Sequence, residues 1–274
     1  MNKNDEPLIS VVIACYNGTT YLEDTIKSIV NQTYKNWEIT FVDDCSTDGS
    51  LEFFLKLVEK YHIENAYDFQ NEENLGITKT KQLGFNESYG DFFMSLDVDD
   101  WISENYMKEM LSTLMKNPTK SFVYCDTIYH FPDGKEHRFY QPEYNVIRLI
   151  ENNFMSYCSL YRSDDFAEIG YDLNNRGHHE DYQLSLKYAY SGKHAVHCHQ
   201  PLFHYRIHQN QSMQSSEVQN NGNLFKAYFI TQMPEMFPES WLEPAQQMLK
   251  SLPDNIMELR GKEFEEALKN KGEK

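Results

Sequence analysis

The feature that most constrains this chain is a regular alternation of short apolar runs with amphipathic segments. Residues 8–14 and 37–42 are rich in β-branched and other apolar side chains and predict strands buried on both faces. Residues 66–70 predict a weaker strand, and residues 91–96 and 122–129 predict two more. Segments with helical spacing separate these strands, so the pattern predicts an α/β fold with a mostly parallel central sheet flanked by helices.

Two of the predicted helices begin with capping signals. Thr20 and Glu23 have the spacing of a capping box. Ser103 is predicted to cap a helix that runs to about Lys116. Further helices are predicted up to about residue 60 and over residues 76–88 and 182–190, and a turn at residues 132–134 predicts a hairpin.

The acidic composition excludes one class of partner. The chain has 274 residues, with 25 Lys and Arg against 42 Asp and Glu, which gives a formal charge of −17. A nucleic-acid-binding protein needs a basic surface to neutralise phosphates, so we expect no nucleic-acid partner. An anionic substrate would need local cations, a metal ion or helix N-termini.

The cysteines and the N-terminal segment indicate a compartment. The five cysteines form no C-x-x-C pair, which predicts reduced thiols rather than disulfides or a zinc site. Residues 1–7 are polar and show no signal peptide, and no segment approaches the roughly 18–20 apolar residues of a membrane span. We therefore expect a cytoplasmic protein with at most peripheral membrane contact. The cysteines are Cys15, Cys45, Cys125, Cys158 and Cys198.

Polar clusters directly follow three of the predicted strands. Tyr16 and Asn17 follow the first strand, Asp43 and Asp44 the second, and residues 97–100 (DVDD) the fourth. Because ligands of open parallel sheets bind beyond the carboxyl ends of the strands, we expect these clusters to converge on one edge of the sheet.

The acidic cluster after the fourth strand is a candidate metal site. Asp97 and Asp99 project to the same side of an extended chain. Two carboxylates suit Mg²⁺ or Mn²⁺, and a diphosphate can supply the remaining ligands. The alternative is a solvated turn with a helix cap. The position after a buried strand, beside the other clusters, favours the metal.

The Asp43-Asp44 turn has two interpretations. One Asp can accept a hydrogen bond from the imide N–H of uracil or thymine, and Asp and Ser also favour helix caps. We expect both roles, with one Asp facing the ligand while Ser46 or Asp48 caps the next helix.

Glu180 and Asp181 precede a predicted helix. The helix dipole would stabilise their charge and lower an Asp pKa, which is a structural role. The functional alternative is a general base that takes a proton from a hydroxyl. Spacing alone favours the structural role.

The segment after residue 203 offers donors for anions. Arg206 suits bidentate contact with a diphosphate, and Ser212 is a further donor. His208 is either a metal ligand or a hydrogen-bonded surface residue. Four neighbouring histidines lack the spacing of a known zinc site: His194, His197, His199 and His204.

Several motifs taken in order resemble family 2 glycosyltransferases, which have a GT-A fold. The matching segments are residues 10–17 (SVVIACYN), 21–34, 42–49 (VDDCSTDG), 74–76 (NLG) and 90–100 (GDFFMSLDVDD), followed by Glu180-Asp181 and Tyr205-Arg206. The full ordered set is specific, although no single motif is.

The resemblance implies an inverting, metal-dependent enzyme. It would transfer a hexose or N-acetylhexosamine from a UDP-sugar to a hydroxyl of a glycan or lipid-linked glycan acceptor, in surface polysaccharide or glycoconjugate synthesis. Asp181 would be the base, with Glu180 beside it. The candidate metal ligands, for Mn²⁺ or Mg²⁺, are Asp97, Asp99 and His208. The candidate donor-binding residues are Ala14, Tyr16, Asn17, Asp43, Asp44, Gly76, Lys81, Asp97, Val98, Arg206 and Ser212.

The predicted organisation is one GT-A domain over residues 1–215 and a small helical extension over residues 216–274. Residues 1–116 would bind the nucleotide sugar, and residues 117–215 would bind the acceptor and hold the base. Lys81 stands where the family commonly has Arg, which leaves its nucleotide contact open.

Three alternative functions compete with this interpretation. A nucleotidyltransferase would need a Gly-rich basic loop after the first strand, whereas residues 15–18 are CYNG. A non-catalytic nucleotide-sugar-binding or carbohydrate-binding module would bind UDP without turnover. A scaffold in a glycosylation complex would use the C-terminal helices. The oligomeric state stays open.

Overall fold

A computed structural model describes residues 6–175, 179–208, 216–250 and 252–254; the side chains of residues 216–221 lie outside that description. The strands are β1 Ile9–Cys15, β2 Trp37–Asp43, β3 Ala66–Gln70, β4 Phe92–Ser95, β5 Trp101–Ile102, β6 Phe122–His130, β7 Glu136–Phe139, β8 Leu160–Arg162 and β9 Ala195–Arg206.

The helices alternate with these strands. They are α1 Leu22–Val30, α2 Ser50–Tyr61, α3 Ile77–Asn86, α4 Tyr106–Met115, α5 Val146–Glu151, α6 Ser163–Ile169, α7 Glu180–Tyr190, α8 Ser216–Gln232 and α9 Leu242–Leu249, with 3₁₀ turns at Pro234–Met236 and Glu239–Trp241.

The described strands form one sheet in the order β3-β2-β1-β4-β8-β6-β9-β5, and β7 pairs with β6. Strand β1 runs parallel to β2 and β4, and β2 runs parallel to β3. Strand β8 is antiparallel to both β4 and β6, and β6 is parallel to β9. The short β5 and β7 are antiparallel to β9 and β6. The predicted α/β fold with a central sheet flanked by helices is therefore confirmed, and the sheet is mixed, with four parallel and four antiparallel pairings among the described strands.

The register brings the ends of the first strands to one edge. Cys15 pairs with Asp43, and Asp43 pairs with Gln70. On the other side of β1, Val12 pairs with Ser95, the last residue of β4. The segments that follow β1, β2 and β4 therefore emerge at the same edge, as the polar clusters predict.

Two apolar clusters cover the two faces of the sheet. The alternation of β1 sends Val11 and Ile13 into the cluster under α1, α2 and α4, and sends Val12 into the other cluster. The second cluster contains residues of α6 and α7 and also Phe225 and Phe229 of α8, both almost fully buried. The described part of the predicted C-terminal extension thus packs on the same sheet, and its predicted boundary near residue 215 falls outside the described residues.

Both predicted helix caps are wrong. Helix α1 begins after Tyr21 without a side-chain cap, and the Glu23 carboxylate instead accepts hydrogen bonds from Lys60 Nζ and Tyr61 Oη of α2, both at 2.7 Å. Pairing with another helix outcompetes the local capping box because two donors, one of them charged, converge on one carboxylate.

The second cap fails for a similar reason. Helix α4 begins after Asn105, and the Ser103 hydroxyl lies 2.9 Å from Nε2 of His204. Pairing of β5 with β9 moves residue 103 into the sheet edge, so the helix starts two residues later than predicted. The helices α5 and α6 and the strands β5 and β8 were not predicted, whereas the hairpin of β6 and β7 was.

Two further predictions concern thiols and membranes. All five cysteines are free, as expected from their number and spacing. Among the described residues, no helix combines the length and the apolar character that crossing a bilayer requires.

Candidate active site

A cavity of about 420 Å³ opens at the carboxyl edge of β1, β2 and β4. Its walls come from the loops that follow these three strands and from the start of α3. The lining residues are Ala14, Cys15, Tyr16, Asp44, Asn74, Gly76, Ile77, Thr80, Asp97, Val98 and Asp99. Six of the predicted donor-binding residues, together with the predicted metal ligand Asp99, therefore surround one space.

The loop after β1 is pinned to the loop after β2. Asn17 adopts a left-handed backbone conformation with φ of 56°. Its backbone N–H donates to Ser46 Oγ at 2.9 Å, and its Oδ1 accepts from the backbone N–H of Thr47 at 2.8 Å. Asn17 does not line the cavity in the described structure, so it positions the neighbouring Tyr16, whose ring is 53% exposed at the cavity wall.

Asp44 organises the opposite wall of the cavity. Its Oδ1 accepts hydrogen bonds from Asn71 Nδ2 and from the backbone N–H of Leu75, both at 2.8 Å. Its Oδ2 accepts from the backbone N–H of Gly76 at 2.9 Å. These contacts hold the 71–76 loop, which supplies part of the cavity lining, against the end of β2.

Asp43 has a different environment. It is fully buried and is absent from the cavity lining of the described residues. Its Oδ2 accepts from the backbone N–H of Ser46 and from Gln70 Nε2. Asp44 thus lines the cavity, whereas Asp43 stabilises the turn. The expectation that Ser46 or Asp48 caps the next helix is wrong, because the N-cap of α2 is Gly49 without a side-chain cap. Asp48 instead accepts from the backbone N–H of Ser50, the first residue of α2.

A buried cation links the cavity to the predicted catalytic pair. Lys81 of α3 is 2% exposed, and its Nζ lies 2.9 Å from Asp97 Oδ1 and 3.2 Å from Glu180 Oε1. The ammonium also lies 5.6 Å from the centre of the Tyr157 ring. Lys81 does not line the cavity in the described structure. It instead joins the end of β4 to the first turn of α7.

Charges in this bridge shift one another's pKa. Burial would lower the pKa of the Lys81 ammonium, but Asp97 and Glu180 raise it well above its ordinary value. Burial raises the pKa of Asp97 to about 6, although Lys81 opposes that rise and Asp99 adds to it. The bridge thus holds a permanent cation beside a carboxylate whose negative charge is costly.

Asp181 lies in the first turn of α7, where its Oδ2 accepts a hydrogen bond from Asn153 Nδ2 at 2.9 Å. Burial, followed by the charge of Glu180, raises the pKa of Asp181. The expectation that the helix dipole lowers this pKa is wrong, because desolvation outweighs the dipole at this part-buried position.

Asp99 and His208 meet at the rim of the cavity. The distance from His208 Nε2 to Asp99 Oδ2 is 2.8 Å, and the imidazole lies 4.9 Å from the Tyr21 ring. The third predicted metal ligand, Asp97, forms a salt bridge with Lys81 through its Oδ1. The structure therefore brings two of the three predicted ligands into direct contact.

Arg206 does not line the cavity in the described structure. Its guanidinium carbon lies 4.8 Å from the centre of the Tyr21 ring and 4.5 Å from that of Trp101. Its Nη2 lies 3.0 Å from Asp24 Oδ2, and its Nε donates to the backbone oxygen of Asp99 at 2.9 Å. In this conformation Arg206 holds the acidic loop against α1, and its predicted contact with a diphosphate stays a prediction.

A family model described as "Glycosyl transferase family 2" matches residues 10–179. The chain belongs to this family. The matched segment runs from the second residue of β1 through β8 and ends at His179, directly before the Glu180-Asp181 pair.

Relatives of this family 2 chain include two bacterial proteins. EpsH of Bacillus subtilis (strain 168) is 28% identical over 225 residues, which are 77% of this chain and 64% of that protein. Glycosyltransferase GlyA of Streptococcus pneumoniae serotype 4 is 26% identical over 217 residues, which are 73% of this chain and 30% of that protein. The chain thus spans less than two thirds of the length of either relative.

Solved structures agree on the fold. S. aureus TarS 1–349 in complex with UDP-GlcNAc has a TM-score of 0.65 at 21% identity, covering 88% of this chain and 70% of that one. Mannosyltransferase PcManGT from Pyrobaculum calidifontis, in complex with GDP-Man and Mn²⁺, has a TM-score of 0.65 at 13% identity, covering 97% and 74%. The family 2 chain therefore has the GT-A fold that its motifs predict.

Some residues of the site were not predicted from the sequence. Asn74, Ile77 and Thr80 line the cavity, and Asn153 bonds the predicted base. Helical spacing after Gly76 could have indicated Ile77 and Thr80, since they share one face of α3, and Asn74 lies in the matching segment 74–76. No local signal marks Asn153. The predicted donor residue Ser212 lies outside the described residues.

Proposed function

We propose that this family 2 chain is an inverting glycosyltransferase that moves a hexose or N-acetylhexosamine from a UDP-sugar to a hydroxyl of a glycan acceptor. The observation that carries the proposal is the bridge from Asp97 through Lys81 to Glu180. Through that bridge, a cavity at the strand ends and a part-buried carboxylate with a raised pKa become neighbouring parts of one site.

The donor nucleotide would occupy the cavity. Tyr16 offers an exposed ring for a base, and the ordered loop behind Asp44 forms the facing wall. The TarS complex with UDP-GlcNAc supports a UDP-sugar as the donor. The PcManGT complex with GDP-Man makes a GDP-sugar the alternative donor.

Asp181 would act as the general base. An acceptor hydroxyl that attacks the anomeric carbon opposite the leaving diphosphate must lose a proton as the new bond forms. A carboxylate whose pKa is raised by burial accepts that proton more readily than an exposed one, and such catalysis is worth about 10²- to 10⁴-fold. The hydrogen bond from Asn153 fixes the orientation of the carboxylate.

The rim of the cavity fits a divalent metal. The adjacent carboxylate of Asp99 and imidazole of His208 form a mixed oxygen and nitrogen donor set of the kind that Mn²⁺ accepts, and Asp97 would add a further oxygen. When bound, Mn²⁺ or Mg²⁺ would neutralise charge on the leaving diphosphate. Lys81 supplies a second, permanent positive charge behind Asp97.

The acceptor and cellular role are proposed from relatives. Minor teichoic acid biosynthesis protein GgaB of Bacillus subtilis is 23% identical over 233 residues, which are 81% of this chain and 25% of that protein. We infer a role in surface polysaccharide or glycoconjugate synthesis, with a glycan or lipid-linked glycan as acceptor. The transfer reaction would take place in the cytoplasm or at the cytoplasmic face of the membrane.

Calorimetric titration of UDP tests the donor site. Wild type is measured with Mn²⁺ and then with EDTA, beside Asp99→Ala and the matched control Asp133→Ala, which changes an exposed aspartate in the β6–β7 turn. We expect EDTA to abolish or strongly weaken binding, Asp99→Ala to weaken it at least tenfold, and Asp133→Ala to leave it unchanged.

The same preparation separates the alternatives. Absence of UDP binding, or binding that neither EDTA nor Asp99→Ala changes, would contradict the proposed donor and metal site, and GDP measured in parallel would reveal a guanine donor. UDP binding without hydrolysis or transfer of any UDP-sugar would indicate a non-catalytic nucleotide-sugar-binding module instead.

A further inference from the structure

Two histidines and a glutamate converge on one side of β9. His197 and His199 are two residues apart on the strand, so their side chains project to the same side, and their ring centres are 4.2 Å apart. Glu143, from the segment between β7 and α5, lies 3.0 Å from His199 through Oε1 and Nε2. The ligand atoms that the three side chains can offer lie within 4.8 Å of one another, the only such set of three among the described residues.

His197 is held in place as a metal ligand would be. It is 6% exposed, and its ring stacks on Tyr124 with ring centres 4.7 Å apart and an interplanar angle of 2°. Its Nε2 lies 2.8 Å from Asp126 Oδ1, and the same oxygen accepts from the backbone N–H of Gln141 at 2.8 Å. A carboxylate that orients a histidine from behind is the usual outer partner of a metal-bound imidazole.

One nitrogen of His197 is left without a partner. A carboxylate accepts hydrogen bonds, so Nε2 carries the proton toward Asp126 and Nδ1 keeps its lone pair. Among the described residues this Nδ1 is buried and has no hydrogen-bond partner. An ion pair between His199 and Glu143 alone would leave the buried lone pair unexplained.

We propose that Glu143, His197 and His199 bind one Zn²⁺ ion, with Asp126 as the carboxylate behind His197. Two imidazoles and one carboxylate, with a fourth position for water, form a donor set that zinc uses in proteins. Tetrahedral zinc with bonds of roughly 2.0–2.1 Å places its ligand atoms about 3.3 Å apart. Glu143 and His199 are already at 3.0 Å and both are exposed, so their side chains can close the remaining gap.

This site is separate from the donor cavity, whose described lining includes none of its residues. The ion would tie the segment before α5 to β9, in the half of the chain predicted to bind the acceptor. It would therefore stabilise that half without touching the proposed metal ligands Asp99 and His208.

Zinc titration of the whole chain tests the proposal. Protein stripped with EDTA and then freed of it is titrated with Zn²⁺ in excess Mg²⁺, which prefers oxygen ligands and occupies the carboxylates of the donor cavity. We expect one Zn²⁺ per chain with a micromolar or tighter Kd and a rise in Tm. His199→Gln should weaken binding at least tenfold, and Asp126→Asn by about 10- to 100-fold.

Two matched variants locate the binding. His137→Gln changes an exposed histidine of β7 and should leave the Zn²⁺ affinity unchanged, as should Asp99→Ala in the donor cavity. His199 is an exposed side chain, so its replacement keeps the fold, which a thermal melt in EDTA verifies. The proposal is overturned by absence of stoichiometric Zn²⁺ binding, by equal affinity in His199→Gln, or by loss of binding in Asp99→Ala.

Discussion

The half of the sheet built from β1 to β4 and the half built from β6, β8 and β9 differ in how their geometry is set. The first half is parallel, the ends of β1, β2 and β3 are level, and its loops form the cavity directly. The second half mixes strand directions, and its register shifts around Cys125 and Asp126. In the first half, the directions of the strands determine where the donor cavity lies. In the second half, contacts of individual side chains determine where the proposed base lies.

The two halves are joined in one sheet by the pairing of β4 with β8, and a buried ammonium adds an ion-paired link between them. Lys81 belongs to the helix that packs on β1 and β2, while Glu180 begins α7 in the second half. The donor cavity is therefore a property of the sheet, whereas Lys81 adds an ion-paired link from the loop after β4 to the first turn of α7, which carries the proposed base.

The largest expected effect is on the rate of transfer, which the second half of the sheet would catalyse, and not on donor binding, which the first half would provide. Asp181→Asn removes the proposed proton acceptor but keeps its shape, so kcat should fall by about 10²- to 10⁴-fold while the Kd for UDP changes little. Steady-state transfer kinetics and calorimetry measure the two quantities. The control Asp164→Asn changes an exposed aspartate of α6 and should alter neither. Full activity of Asp181→Asn would remove Asp181 from the base role.

The second prediction breaks the link between the halves. Lys81→Met leaves the carboxylates of Asp97 and Glu180 facing each other without the buried cation, so the free energy of unfolding should fall by about 3–5 kcal/mol. Urea denaturation measures the loss. Lys56→Met, at an exposed position of α2, should stay within about 0.5 kcal/mol of wild type. A loss as small as that of the control would mean that Lys81 does not bridge the two halves.

The third prediction compares packing in the two regions. A Cβ at Gly84 of α3 would lie 2.3 Å from Val12 Cγ1 and 3.3 Å from Val42 Cγ2, so Gly84→Ala should cost about 1–3 kcal/mol. A Cβ at Gly222 of α8 would meet nothing within 4 Å, and Gly222→Ala should stabilise by about 0.5–1 kcal/mol through helix propensity. Thermal unfolding of both variants measures the difference, and equal effects would contradict the close approach of α3 to the sheet.

The smallest expected effect is the pH dependence of stability that His204 of β9 causes. Burial, reinforced by neighbouring His130, lowers the pKa of His204 to about 4. Between pH 6.5 and 4 the unfolded chain binds a proton at this residue that the folded chain does not, so stability falls as pH falls. The loss between pH 7 and 5 should be on the order of 1 kcal/mol, and His204→Gln should reduce it. Urea denaturation at pH 7 and pH 5 measures how the free energy of unfolding depends on pH. An unchanged dependence in His204→Gln would mean that other residues cause the loss of stability.

Sequence patterns succeeded where structure is local or repeated. Strand β3 was predicted with its observed bounds, and β1, β2 and β6 were predicted to within one residue at each end, because continuous apolar runs require burial on both faces. The convergence of Tyr16, Asp44 and Asp97 on one cavity also follows from strand direction alone. The capping signals at Thr20 and Ser103 failed because partners distant in sequence compete for the same polar groups.

By itself, the sequence determined the fold class, the edge of the sheet where ligands can bind and the family motifs that lie there, since these depend on the periodicity and order of residues near one another in the chain. Only the tertiary structure decided that Lys81 is buried between Asp97 and Glu180, that Arg206 turns toward Trp101, and that Glu143 meets two histidines of β9. Pairings of charge across tens of residues leave no periodic trace, because they arise from the packing of helices and strands on the sheet.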